Sequence, residues 1–90
     1  MAQIIKTTGE VIEVAPKNGT DFSLEELKNI VGGWIEIVSL RDGRLLCLDE
    51  EGKLKGKERN HVATDIYHQA LHYNDFIVGD VLLCDEDQID

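Results

Sequence analysis

Lys53, Lys55, Lys57 and Arg59 place four of the nine basic residues of this 90-residue chain within seven positions. The run leads into Asn60, a residue type that caps helices, and Gly52 and Gly56 let the backbone come close to a ligand. Clustered cations, free N–H groups and the positive end of a helix dipole together suit an anion. The expected ligand-binding set is therefore Lys53, Lys55, Lys57, Arg59 and Asn60, with Trp34 and Glu36 beside it. The spacing is not that of a G-x-x-x-x-G-K-[ST] phosphate loop. A plainer assignment competes: these lysines shield an exposed sheet edge, or offset Asp49, Glu50, Glu51 and Glu58 through surface pairs.

Other chemistry has less support. His68 and His72 stand four apart and share a helix face with His61 nearby, but a zinc site wants three or four ligands, so no metal site is expected. Cys47 and Cys84 lie in strand patterns, where burial keeps a thiol protonated and inert, and two cysteines make no disulfide framework. No local signature of a nucleophile with its base is present, so no catalytic residue and no cofactor are expected. Glu36 and Asp80 each interrupt an apolar run, and a carboxylate there must face water or find a partner, in a groove or on an open face.

The elements that must hold these residues follow from periodicity. Ile4–Thr7 and Glu10–Val14 flank Thr8-Gly9 as a hairpin, and Pro16 with Asn18-Gly19 ends the pairing. Ser23 caps a helix, Glu26 completes a capping box, Phe22 staples onto Leu27, and Leu24, Leu27, Ile30 and Val31 form the apolar stripe up to Gly32-Gly33. Trp34–Leu40 and Arg44–Asp49 are strands around Arg41-Asp42-Gly43, apolar on both faces and hence placed centrally. Lys53–Lys57 reads as a partly extended connection, 60–71 as a second helix and Phe76–Cys84 as a closing interior strand. The expected fold class is α+β, with one mostly antiparallel sheet of about five strands and two helices in the order β-β-α-β-β-α-β. Ile12, Val14, Leu27, Ile30, Val31, Ile35, Ile37, Leu46, Leu48, Ile66, Val81 and Leu83 are its expected core. Residues 1–84 form the single domain and 85–90 a solvated, dispensable acidic tail.

The chain is 42% hydrophobic and carries a net charge of −9, which opposes general binding to nucleic acid or to an anionic membrane. Neither a membrane span nor a secretory signal is apparent, so the expected location is the cytoplasm.

The phrase from Leu27 through Gly32-Gly33-Trp34 to Val38, with Asp42-Gly43, Asp49-Glu50-Glu51-Gly52-Lys53, Asn60 with Ala63-Thr64, and Asp75 to Gly79, resembles the domain of unknown function numbered 3846. That family is spread through phages, plasmids, conjugative elements and their bacterial hosts. The resemblance runs from about Ile12 to Cys84, while the Lys55–Arg59 run and the His-rich helix are less typical of it. It implies a setting rather than an activity. In that setting the expected function is a small non-enzymatic binding or accessory protein, acting through a protein partner or self-association as a homo-oligomer paired at a sheet edge. The alternative is a sponge for an anionic, nucleotide-like small molecule held by Lys53–Arg59 and Asn60.

Overall fold

The computed structural model describes residues 2–71 and 75–89. Its elements are β1 (Ala2–Ile5), β2 (Val11–Val14), α1 (Leu24–Val31), β3 (Ile35–Ser39), β4 (Arg44–Asp49), α2 (His61–Leu71) and β5 (Val81–Asp85), followed by a 3-10 turn at Glu86–Gln88. The strands make one sheet in the order β2-β1-β5-β4-β3, every pair antiparallel. This is the α+β architecture expected, and the helices lie on opposite faces of the sheet.

Alternation along the strands explains the two layers. Ala2, Leu45, Cys47, Leu82 and Cys84 point to one face and pack with Phe22, Leu27 and Val31 of the α1 region. Ile5, Leu46, Leu48, Val81 and Leu83 point to the other and pack with Ala63, Leu40 and Ile77, joined by Val62, Ile66, Tyr67 and Ala70. Ser23 caps α1 by accepting the Glu26 N–H, and the Glu26 carboxylate accepts the Ser23 N–H in return. Phe22 and Leu27 meet in the same core cluster. Gly32 closes the helix at φ 82°, in the left-handed region that a residue with a Cβ avoids.

Four expectations are corrected. First, β3 is an edge strand and the central strand is β5, so the closing strand offers no edge for pairing. Ile37, expected in the core, is 42% exposed there, and Leu24 lies on the exposed side of α1. Second, β5 begins at Val81 rather than Phe76. Gly79 takes φ 76°, and Val78 makes only an isolated bridge to Arg59, so Asp80 precedes the strand and accepts the Thr7 N–H at 3.0 Å. Third, residues 50–56 coil through helix-like turns instead of extending: the N–H of Lys55 bonds Glu51 O and that of Gly56 bonds Lys53 O.

Fourth, the segment expected as a solvated tail from residue 85 is docked through Ile89. Asp85 completes β5 opposite Arg44, Phe22 N–H donates to Gln88 O at 2.7 Å, and Ile89 bridges Phe22 and packs on the core. Its acids avoid burial by position: Glu86 and Asp87 face water while the apolar Ile89 turns inward.

Candidate functional site

The structure places Lys55 and Lys57 of the expected ligand-binding set in one group and Lys53 and Glu36 in another, with Arg59, Asn60 and Trp34 outside both. The first surrounds Asp49, the last residue of β4, whose side chain is 1% exposed. Lys55 Nζ and Lys57 Nζ each stand 2.8 Å from Asp49 Oδ2, and the Glu51 N–H donates to Oδ1 at 2.9 Å. Burial works against this carboxylate's charge, but the two ammonium groups and the amide prevail and hold its pKa at about 2. Lys57 Nζ also donates to Val31 O at 2.6 Å, and Lys55 Nζ to Gly32 O at 3.4 Å. The two lysines thus tie the carbonyl end of α1 to the buried end of β4, where a cation is favoured.

Gly33 is what lets the parts meet, since a Cβ there would lie 2.6 Å from Lys55 Nζ and 2.9 Å from the Asp49 oxygens. Asn60 is also spent within the fold. It is 0% exposed, donates to Ile5 O and Gly79 O at 2.9 Å each, and accepts the Ala63 N–H at 3.0 Å as the cap of α2. Asn60 therefore has no side-chain group left for a ligand, a correction to the expected site. The same bonds tie β1, the Gly79 bend and α2 together.

The second group borders a groove of about 140 Å³ between β3, β4, α2 and the strand approaching β5. Val38, Leu48, Leu54, Ile77 and Val78 supply apolar wall, with Glu36, Glu50, Lys53 and Asp75 among the polar lining. Lys53 pairs with Asp75, which lowers the Asp75 pKa, and Lys53 Nζ and Arg59 Cζ each lie 4.6 Å from the Phe76 ring centre. His68 Nε2 donates to the Asp75 carbonyl. Glu36 lines this groove, whereas Asp80 lines a separate concavity near Thr7 and Lys57. Among the described residues, the Glu36 and Glu50 carboxylates have neither a hydrogen bond nor an ion pair. Trp34 lies apart from the groove lining, 59% exposed beneath the Lys28 ammonium at 3.8 Å.

Sequence reading missed Asp75 and Phe76 as partners of Lys53, because nothing local relates positions 53 and 75. Asp49 did leave a signal: an acid ending the apolar run Leu45-Leu46-Cys47-Leu48 must find partners.

Beside the groove, β3 presents the rim of the sheet. Glu50 N–H donates to Trp34 O and Leu40 N–H to Arg44 O, so even-numbered residues turn their backbone toward β4. By alternation Ile35, Ile37 and Ser39 turn their N–H and C=O groups outward. β3 lacks the lysine, proline or bulge that commonly guards such an edge, whereas the opposite edge strand, β2, has four residues and runs out at Pro16.

Burial pushes the Cys47 thiol up to about 12 and the Cys84 thiol up to about 11, leaving both protonated near neutrality. No group of three metal-binding side chains is found among the described residues, and His72 of the considered histidine pair lies outside them. No described helix is long and apolar enough to cross a membrane.

The model of the family described as "domain of unknown function (DUF3846)" matches residues 2–90, essentially the whole chain. No curated protein and no solved structure matches.

Proposed function

Because the chain belongs to the DUF3846 family, whose description assigns no activity, we propose from its geometry that it is a non-enzymatic protein-binding module. Its open β3 edge takes an extended, basic segment of a partner protein as a sixth strand. The outward backbone of Ile35, Ile37 and Ser39 is the observation that carries this reading, because unpaired ladder groups are a template for strand addition. Exposed Ile37 and Trp34 offer apolar contact along the same rim. A net charge of −9 selects the occupant's charge: it attracts a cationic segment and opposes a second copy of this chain.

The anion-sponge alternative draws on Lys55, Lys57 and Asn60, which the fold already uses. A cytoplasmic accessory role in a phage or plasmid setting is compatible with the module and is part of the same proposal.

Selection of displayed seven-residue segments on the immobilised protein tests it. Enriched sequences should alternate β-branched residues with Arg or Lys. They should bind the wild type and lose at least 10-fold in affinity on Ile37→Lys, which guards the edge from an already exposed position. Light scattering should give a monomer. No enriched sequence, binding indifferent to Ile37→Lys, or a dimer that Ile37→Lys dissolves would each overturn the reading.

A further inference from the structure

Resting on that reading, we infer that the groove beside β3 is the specificity pocket of the module and takes one long cationic side chain, an arginine or lysine, from the docked strand. The placement follows from the pleat. Glu36 and Val38 are the β3 residues whose side chains line the groove, pointing to the sheet face that carries α2. A strand added alongside β3 sends alternate side chains to that same face, next to Glu36 and Val38. Those side chains arrive at the groove mouth, while the intervening ones fall on the α1 face beside Ile37.

The lining sets the chemistry. Val38, Leu48, Leu54, Ile77 and Val78 suit an aliphatic stem, and Leu54, 86% exposed, stands ready to be covered by it. At the rim the unpaired Glu36 and Glu50 carboxylates suit a cationic head. Lys53 does not neutralise them, because its ammonium is directed to Asp75 and the Phe76 face. An acidic side chain would meet two carboxylates, and a neutral aliphatic one would leave both without a partner. The groove therefore adds side-chain selectivity to an edge whose backbone contacts carry none.

Two capped peptides that differ at one kind of position separate this inference from the reading beneath it. One alternates valine with arginine over seven residues, and the other carries norleucine in place of each arginine. Each is titrated into the ¹⁵N-labelled protein. Both should shift the amides of Ile35, Ile37 and Ser39. The arginine peptide should additionally shift Leu54 and Phe76, bind at least 10-fold more tightly, and lose that advantage on Glu36→Gln. Equal affinity for the two peptides, or an advantage that survives both Glu36→Gln and Glu50→Gln, would overturn the pocket while leaving the edge in place. If neither peptide shifts the β3 amides, the edge reading and the pocket fall together.

Discussion

Lys57 Nζ lies 2.8 Å from Asp49 Oδ2 and 2.6 Å from Val31 O, so one ammonium group joins the end of β4 to the end of α1. Lys55 repeats the contact to Asp49 from the next position but one. Removing the shared carboxylate leaves two partly exposed lysines without their common partner at a buried site, and losing hydrogen bonds to a charged group of this kind costs about 2 kcal/mol. Asp49→Asn should therefore lower stability by that order in urea denaturation, and Lys57→Met, which keeps the aliphatic stem, by less. Stability of Asp49→Asn equal to wild type would show that the pairing contributes nothing net.

The same carboxylate makes the protein acid-labile in a defined window. Its pKa is about 2 in the fold against an ordinary 3.8, so it stays ionised in the native chain where the unfolded chain takes up a proton. Its contribution is complete above about pH 4 and is lost as pH falls toward 2, amounting to about 2 kcal/mol. Glu26 and Asp75 are lowered too and act in the same direction. Comparing the urea midpoints of wild type and Asp49→Asn between pH 6 and pH 2 isolates the Asp49 share, and the two curves should converge at the acid end.

Gly33→Ala tests the close approach directly. The added methyl would lie 2.6 Å from Lys55 Nζ, the end of a flexible and partly exposed side chain, and 2.9 Å from both oxygens of the buried Asp49, so a cost of about 1 kcal/mol, the low end for overpacking, is expected. Part of that cost should disappear in Lys55→Ala, because removing the lysine removes the nearest clash. A Gly33→Ala melting temperature equal to wild type would mean that the staple shifts freely.

Asn60→Ala should cost about 3 kcal/mol, since the fully buried amide bonds Ile5 O, Gly79 O and the Ala63 N–H, and the substitution removes all three bonds from a site closed to water. Asn60→Asp should be no remedy, because two of its contacts are carbonyl oxygens. Calorimetry of both variants checks this, and retention of full stability by either would remove Asn60 from its structural role.

Truncation after Cys84 should destabilise the protein by about 2 kcal/mol or more, because it removes Asp85 from β5, the Gln88 acceptor of the Phe22 N–H, and the Ile89 side chain. Ile89→Ala should account for about 1 kcal/mol of that loss, read from the urea midpoint. A truncated chain as stable as the full one would restore the solvated tail.

Local chemistry determined much of this molecule from the sequence alone. Ser23 with Glu26, Gly32 after Val31, Gly9 in the first hairpin and the cap at Asn60 act within a few residues of one another, so their structure is readable without knowing the fold. The α+β class followed from them, because the order of strands and helices is itself a local pattern. Strand order was not local. Trp34–Leu40 and Phe76–Cys84 are both apolar runs, yet β5 is paired on both sides and β3 on one. An edge strand with exposed Ile37 carries the same composition as a buried one. The fate of the basic run was likewise tertiary: Lys55 and Lys57 face Asp49 and α1, while Lys53 faces Asp75, because coiling of residues 50–56 turns neighbouring lysines in different directions. Sequence supplied the cations, and long-range packing decided which of them the fold uses and which border the groove.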